Sequence, residues 1–229
     1  MPVPPDAKPK VLILGGTAEA TALAAKLVAR GDVAVVTSLA GRTAHPVLPP
    51  GEVRIGGFGG AAGLAAYIRE NGVTRLIDAT HPFARRISEN AIQAAAETGI
   101  VLEHVVRPGW ERQRGDRWQE VSSLEEAARA LPAGATVFLA LGRQYLDAFA
   151  ARSDCRFIIR MIDAPAEPLP FTDHVLILGK PSAHPEREAA LFASHGVTHL
   201  VCRNSGGASG YGKIAAAREM GLPVIIVGR

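Results

Sequence analysis

Short apolar runs alternate with helix-length stretches from residue 11 to the C-terminus, and the alternation runs through two rounds. In the first round, strands are predicted at residues 11–14, 33–37 and 75–78, with helices over 17–30, 60–70 and 85–98. In the second, strands over 136–141, 157–161, 175–178, 199–202 and 223–227 go with helices over 123–130, 144–151, 184–194 and 212–220. The strands are continuously apolar, as strands covered on both faces are, and the helical spacers between them give right-handed βαβ units. The fold class is α/β: two Rossmann-like parallel-sheet subdomains, with a ligand cleft expected between them. The rhythm breaks at Arg107-Pro108-Gly109-Trp110 and the charged stretch that follows. This predicts a flexible Pro-rich arm at residues 1–9, an N-terminal dinucleotide-binding domain at 10–107 and a C-terminal α/β domain at 108–229 that closes the cleft.

The composition narrows the classes. The chain has 229 residues, 48% of them apolar but only 5% aromatic, which suits parallel strands under Ala-rich helices. A net charge of +3, dispersed among nearly as many acids, does not make the basic stripe of a nucleic-acid binder. Apolar runs fall short of the roughly 20 residues that cross a bilayer, and the N-terminus lacks a signal-peptide core, so a cytoplasmic protein off the membrane is expected. Cys155 and Cys202 stand apart with no zinc-ligand spacing, and Gly196 weakens His195 and His199 as a helical ligand pair. No metal site is expected.

Two glycine-rich turns carry the candidate chemistry. Gly15-Gly16-Thr17 joins the first strand to an Ala-rich helix, where free N–H groups and the helix dipole favour a phosphate. It is not the full GxGxxG pattern, and a plain βα turn with Thr17 as N-cap fits as well. About 20 residues on, a fold that binds NAD presents an acid to the ribose. Here Ser38 and Arg42 stand in its place, which favours a 2′-phosphate and hence NADPH over NADH; an ordinary solvated loop arginine is the alternative. After the third strand come Asp78, Thr80, His81 and Pro82, read either as site residues or as loop acceptor and turn histidine. The second turn holds Arg203, Asn204, Ser205, Gly206, Gly207, Gly210, Tyr211, Gly212 and Lys213, a set of donors, cations and glycines prepared for an anion.

Together these segments resemble the precorrin-6A reductases, the CobK/CbiJ family of cobalamin biosynthesis. The resemblance rests on Gly15-Gly16-Thr17-Ala18-Glu19, Asp78-Ala79-Thr80-His81-Pro82-Phe83-Ala84, Arg107-Pro108, Gly142-Arg143, and Asn204-Ser205-Gly206-Gly207 with Lys213. The segments at Glu103-His104 and Gly179 to His184 depart from the family's commoner forms. The resemblance implies reduction of a conjugated double bond of precorrin-6A by NADPH, with a tetrapyrrole as substrate and neighbouring pathway enzymes as possible partners.

On this reading the cofactor set is Gly15, Gly16, Thr17, Ser38, Arg42, Asp78, Thr80, Arg203, Asn204, Ser205, Gly207 and Lys213. The substrate set is His81, Pro82, Arg143 and Lys213, the cations serving as carboxylate clamps or, alternatively, as solvated surface. A proton must accompany the hydride, and His81, Tyr211 or water is the candidate donor. An NADPH-binding sensor, or a reductase of another conjugated polycarboxylate, shares the dinucleotide features. A Tyr-x-x-x-Lys carbonyl reductase does not fit, since Asn71, Phe149 and Ala215 lie four residues beyond the three tyrosines.

Overall fold

The computed structural model describes residues 8–41 and 46–229; most of the arm expected at 1–9, and Arg42, lie outside the described residues. The chain divides into two units, residues 1–106 and 107–229.

Unit 1 contains β1 (Lys10–Leu14), α1 (Ala18–Arg30), β2 (Ala34–Leu39), β3 (Glu52–Ile55), α2 (Ala61–Glu70), β4 (Val73–Asp78), α3 (Arg85–Thr98) and β5 (Val101–His104). The sheet is parallel throughout, in the order β3-β2-β1-β4-β5. Small residues let α1 sit close to the sheet: Ala20, Ala24 and Leu27 pack on Val11, Ile13, Val35 and Ile77. On the other face, Leu64, Ala65 and Ile68 of α2 and Ala91, Ala94 and Ala95 of α3 cover Leu12, Leu14, Val36 and Leu76. Because β2 and β4 flank β1 on opposite sides, the connections diverge there. The carboxyl ends of β1 and β4 form the switch point at which ligands of open α/β sheets bind.

Unit 2 contains β6 (Arg117–Val121), α4 (Leu124–Ala130), β7 (Thr136–Ala140), β8 (Arg156–Met161), β9 (His174–Leu178), α5 (Pro185–Ser194), β10 (His199–Arg203), α6 (Gly212–Glu219) and β11 (Pro223–Val227). This sheet is parallel as well, in the order β6-β11-β10-β7-β8-β9, which puts its switch point between β7 and β10. One face buries Phe149, Phe157 and the alanines of α4; the other buries Phe138, Phe192, Ile214 and Trp110.

Two sequence expectations need correction. The helix expected over 144–151 is a pair of 3-10 turns, Arg143–Tyr145 and Asp147–Phe149. Leu146 and Phe149 are fully buried three residues apart, and a three-residue turn eclipses such a pair where an α-helix would splay it. Strands β3, β5 and β6 were absent from the apolar pattern because they carry charges and lie at sheet edges, where one side is solvated.

Candidate functional site

At the switch point of unit 1 the backbone turns without filling the space beyond it. Gly15 N–H donates to Ser38 O at 2.9 Å, closing the turn onto β2. A Cβ on Gly15 would lie 2.8 Å from Thr37 Cγ2, so this glycine answers to packing. Gly16 differs: it has a φ of 101° and nothing within 4 Å of where a Cβ would stand. Thr17 caps α1 by accepting from Ala20 N–H at 3.1 Å and donates its hydroxyl to Ala79 O at 2.8 Å. One threonine therefore caps the helix and ties the β1 turn to the β4 turn.

The β4 turn is fixed by its own acid. Buried Asp78 accepts from Thr80 N–H at 3.0 Å and from the Thr80 hydroxyl at 2.6 Å, and its other oxygen lies 3.6 Å from His104 Nδ1. Ala79 N–H donates to Leu14 O. His81 Nδ1 accepts from Phe83 N–H at 3.3 Å, which leaves the proton of the neutral ring on Nε2. Pro82 sits in the turn that Ala84 N–H closes onto His81 O at 2.7 Å. Gly15, Gly16, Thr17, Asp78, Thr80, His81 and Pro82 thus all belong to two adjoining turns. Ser38, the penultimate residue of β2, lies beside them, buried.

These residues fit a dinucleotide phosphate. The turn offers open space at Gly16 and the N-terminus of a 13-residue helix. Among the described residues, the buried Thr37 hydroxyl next to Gly15 has no hydrogen-bond partner.

The second glycine-rich turn is built differently. A Cβ on Gly206 would stand 2.0 Å from Pro108 O, and one on Gly212 would stand 2.3 Å from Ser182 O. Those glycines admit neighbouring backbone. Asn204 accepts from Trp110 N–H at 2.6 Å and donates to Trp110 O at 3.0 Å, pairing with that residue as a strand would. Gly207 O receives the Trp110 indole N–H at 2.9 Å. Asn204 and Gly207 therefore serve Trp110, with the Asn204 amide engaged at both ends.

The cations of unit 2 divide by environment. Lys213 is only 7% exposed; its ammonium donates to Gly210 O at 2.6 Å and lies 4.6 Å from the Trp110 ring centroid. Burial pushes its pKa below the usual lysine range, and the same burial pushes the neighbouring Cys202 thiol up to about 11. Arg203 stacks 4.0 Å over Tyr145, beyond the carboxyl ends of the paired strands β10 and β7. Arg143 is exposed and pairs with Glu167 at 3.2 Å, lining a cavity of about 410 Å³ with Gln144, Leu146, Asp147 and residues 168–170. Tyr211 accepts from Arg218 at 2.6 Å while Arg218 is held by buried Asp116, so the phenol keeps its own proton to donate. Ser205 N–H lies 2.7 Å from Arg203 O.

Sequence reading missed the buried pair Arg160–Glu188. Arg160 donates to both Glu188 oxygens at 2.7 and 2.9 Å, and Ser182 N–H donates to Glu188 at 2.7 Å. This clamp carries the loop whose Ser182 O meets Gly212. An acid three residues into α5 reads as a solvated N-terminal charge, so no local signal marked it.

Comparison with known proteins agrees across the whole fold. Residues 10–229 match the family described as Precorrin-6x reductase CbiJ/CobK. The chain is 45% identical over 221 residues to a precorrin-6A reductase of Rhodobacter capsulatus, covering 96% of this chain and 88% of that one. It is 47% identical to a Sinorhizobium precorrin-6A reductase over 97% of this chain and 85% of the relative. A solved structure described as CobK precorrin-6A reductase superposes with a TM-score of 0.93 at 44% identity, covering 96% of this chain and 88% of the other.

Proposed function

Because the chain belongs to the precorrin-6x reductase CbiJ/CobK family, we propose that it reduces one conjugated C=C bond of precorrin-6A with NADPH, giving precorrin-6B in cobalamin biosynthesis. The observation that carries the reading is the match over residues 10–229, together with an open Gly16 turn at the switch point of unit 1. A sensor needs no substrate machinery, and the full-length identity to reductases favours the enzyme.

When bound, the nicotinamide supplies the hydride, so the work left to the protein is binding, orientation and proton supply. The Gly15, Gly16 and Thr17 turn holds pyrophosphate against the α1 N-terminus. Asp78 and Thr80 hold the neighbouring turn in shape through the carboxylate bridge. Ser38 and Arg42 receive the 2′-phosphate; an acid there would repel it. In unit 2, Arg143 and Arg203 take carboxylates of the macrocycle, and Ser205 adds a hydroxyl. Lys213, anchored on Gly210 O, sets the shape of that loop. His81 Nε2–H is the proposed proton donor, with the Tyr211 hydroxyl as the second candidate.

The test is anaerobic oxidation of NADPH followed at the nicotinamide absorbance, with purified protein and precorrin-6A and with NADH alongside. Turnover with NADPH far above that with NADH is expected. Tight NADPH binding without turnover would overturn the reductase reading, and equal use of NADH would overturn the 2′-phosphate assignment.

A further inference from the structure

Beyond β3 lies a loop of four glycines around one aromatic, Gly56-Gly57-Phe58-Gly59-Gly60, to which the sequence reading gave no role. Gly56, Gly59 and Gly60 have φ values of 116°, 80° and 100°, and none of the four glycines has an atom within 4 Å of where a Cβ would stand. Protein packing does not require their bareness. The loop is nevertheless fixed. Arg54 donates to Gly56 O and, at 2.8 Å, to Gly57 O; its guanidinium lies 3.9 Å from the Phe58 ring centroid and 5.4 Å from that of Tyr67. Phe58 O in turn occupies the position that a Cβ on Gly63 would need, 1.7 Å away, which seats the loop on α2.

Register supplies the link to the site. Arg54 pairs with Ser38 across the β2–β3 ladder, and directly paired residues of parallel strands present their side chains to the same face. Gly56 N–H donates to Leu39 O at 2.9 Å, so the loop begins where β2 ends. Two of the guanidinium's five N–H groups serve carbonyls, which keeps the fork rigid while others stay available for an oxyanion.

We propose that Arg54 is a specificity-determining residue for the cofactor's 2′-phosphate: a half-buried guanidinium, held on Phe58 by Gly56 O and Gly57 O, which together with Ser38 favours the phosphorylated ribose. This rests on the NADPH reading given above. The bare loop leaves room for the adenosine end of the ligand.

The test compares adenosine 2′,5′-bisphosphate with adenosine 5′-monophosphate, which differ only in the 2′-phosphate, by calorimetric titration of the full chain. Arg54→Gln is expected to lower the affinity ratio about tenfold, as loss of one charge-assisted contact does. Arg54→Lys, which keeps the charge without the fork, should fall between. Dissociation constants report the folded fraction alone, since unfolded protein changes the stoichiometry. An unchanged ratio in Arg54→Gln, or equal losses for both nucleotides, would overturn the role of Arg54. If the wild-type chain shows no preference for the bisphosphate, the 2′-phosphate reading itself falls.

Discussion

The two glycine-rich turns read alike in sequence and differ in what stands beyond the α-carbon. At Gly16 that space is empty, whereas at Gly206 and Gly212 it is taken by the carbonyls of Pro108 and Ser182. Unit 1 uses a glycine to leave room, and unit 2 uses glycines to bring backbone against backbone. Two donors of the second turn are likewise engaged inside the protein. Lys213 is buried on Trp110, and the Asn204 amide is engaged at both ends. Two turns that gather glycines and donors alike therefore use Gly16 on one side and Gly206 and Gly212 on the other for different ends.

The largest effect should come from the clamp beneath the second turn. Glu188→Ala leaves Arg160 buried without its partner and Ser182 N–H unsatisfied, and should cost about 3–5 kcal/mol in chemical denaturation. Nucleotide affinity of the folded fraction should stay as it was; a large loss there would join the clamp to the cofactor site and break the comparison.

Next comes the contrast between the glycines themselves. Gly212→Ala forces a methyl against Ser182 O and should cost about 3 kcal/mol of stability. Gly16→Ala meets no neighbour, so its stability cost is that of an unfavourable φ alone, about 1–2 kcal/mol. Its effect falls on binding as well: NADPH affinity should fall at least about tenfold, read by calorimetry. Equal stability losses with unchanged NADPH affinity would erase the distinction.

Lys213 gives a subtler test through pH. Its folded pKa is lowered by burial, so between that value and the ordinary lysine range the unfolded chain holds more protons. Stability contributed through this group therefore rises with pH across that window and is lowest below it. Lys213→Met should flatten the rise, read as the slope of the melting temperature against pH; an unchanged slope would contradict the assignment. Thr17→Val removes both the cap and the bond to Ala79 O and should cost about 1–2 kcal/mol, seen as a lower denaturation midpoint.

Much of this was legible in the sequence, because fully buried parallel strands are apolar from end to end and Ala-rich helices pack closely on them. Gly15-Gly16-Thr17 and Asp78-Ala79-Thr80 were legible as turns, since each follows its strand directly. Three kinds of feature were hidden. Edge strands such as Glu52–Ile55 carry charge and break the apolar pattern. The reason for Gly206 or Gly212 lies in a carbonyl from a distant segment, which no local window contains. The pairing of Arg160 with Glu188, and of Arg54 with Ser38, depends on strand order and register.

The central claim is that the nucleotide lies on unit 1 at the open turns. Hydrogen exchange of the whole chain with and without NADPH tests it most directly. The account predicts slowed exchange at residues 15–21, 38–41, 56–60 and 79–84, with residues 212–219 unchanged. Protection confined to residues 203–219, with the Gly16 turn unaffected, would contradict it.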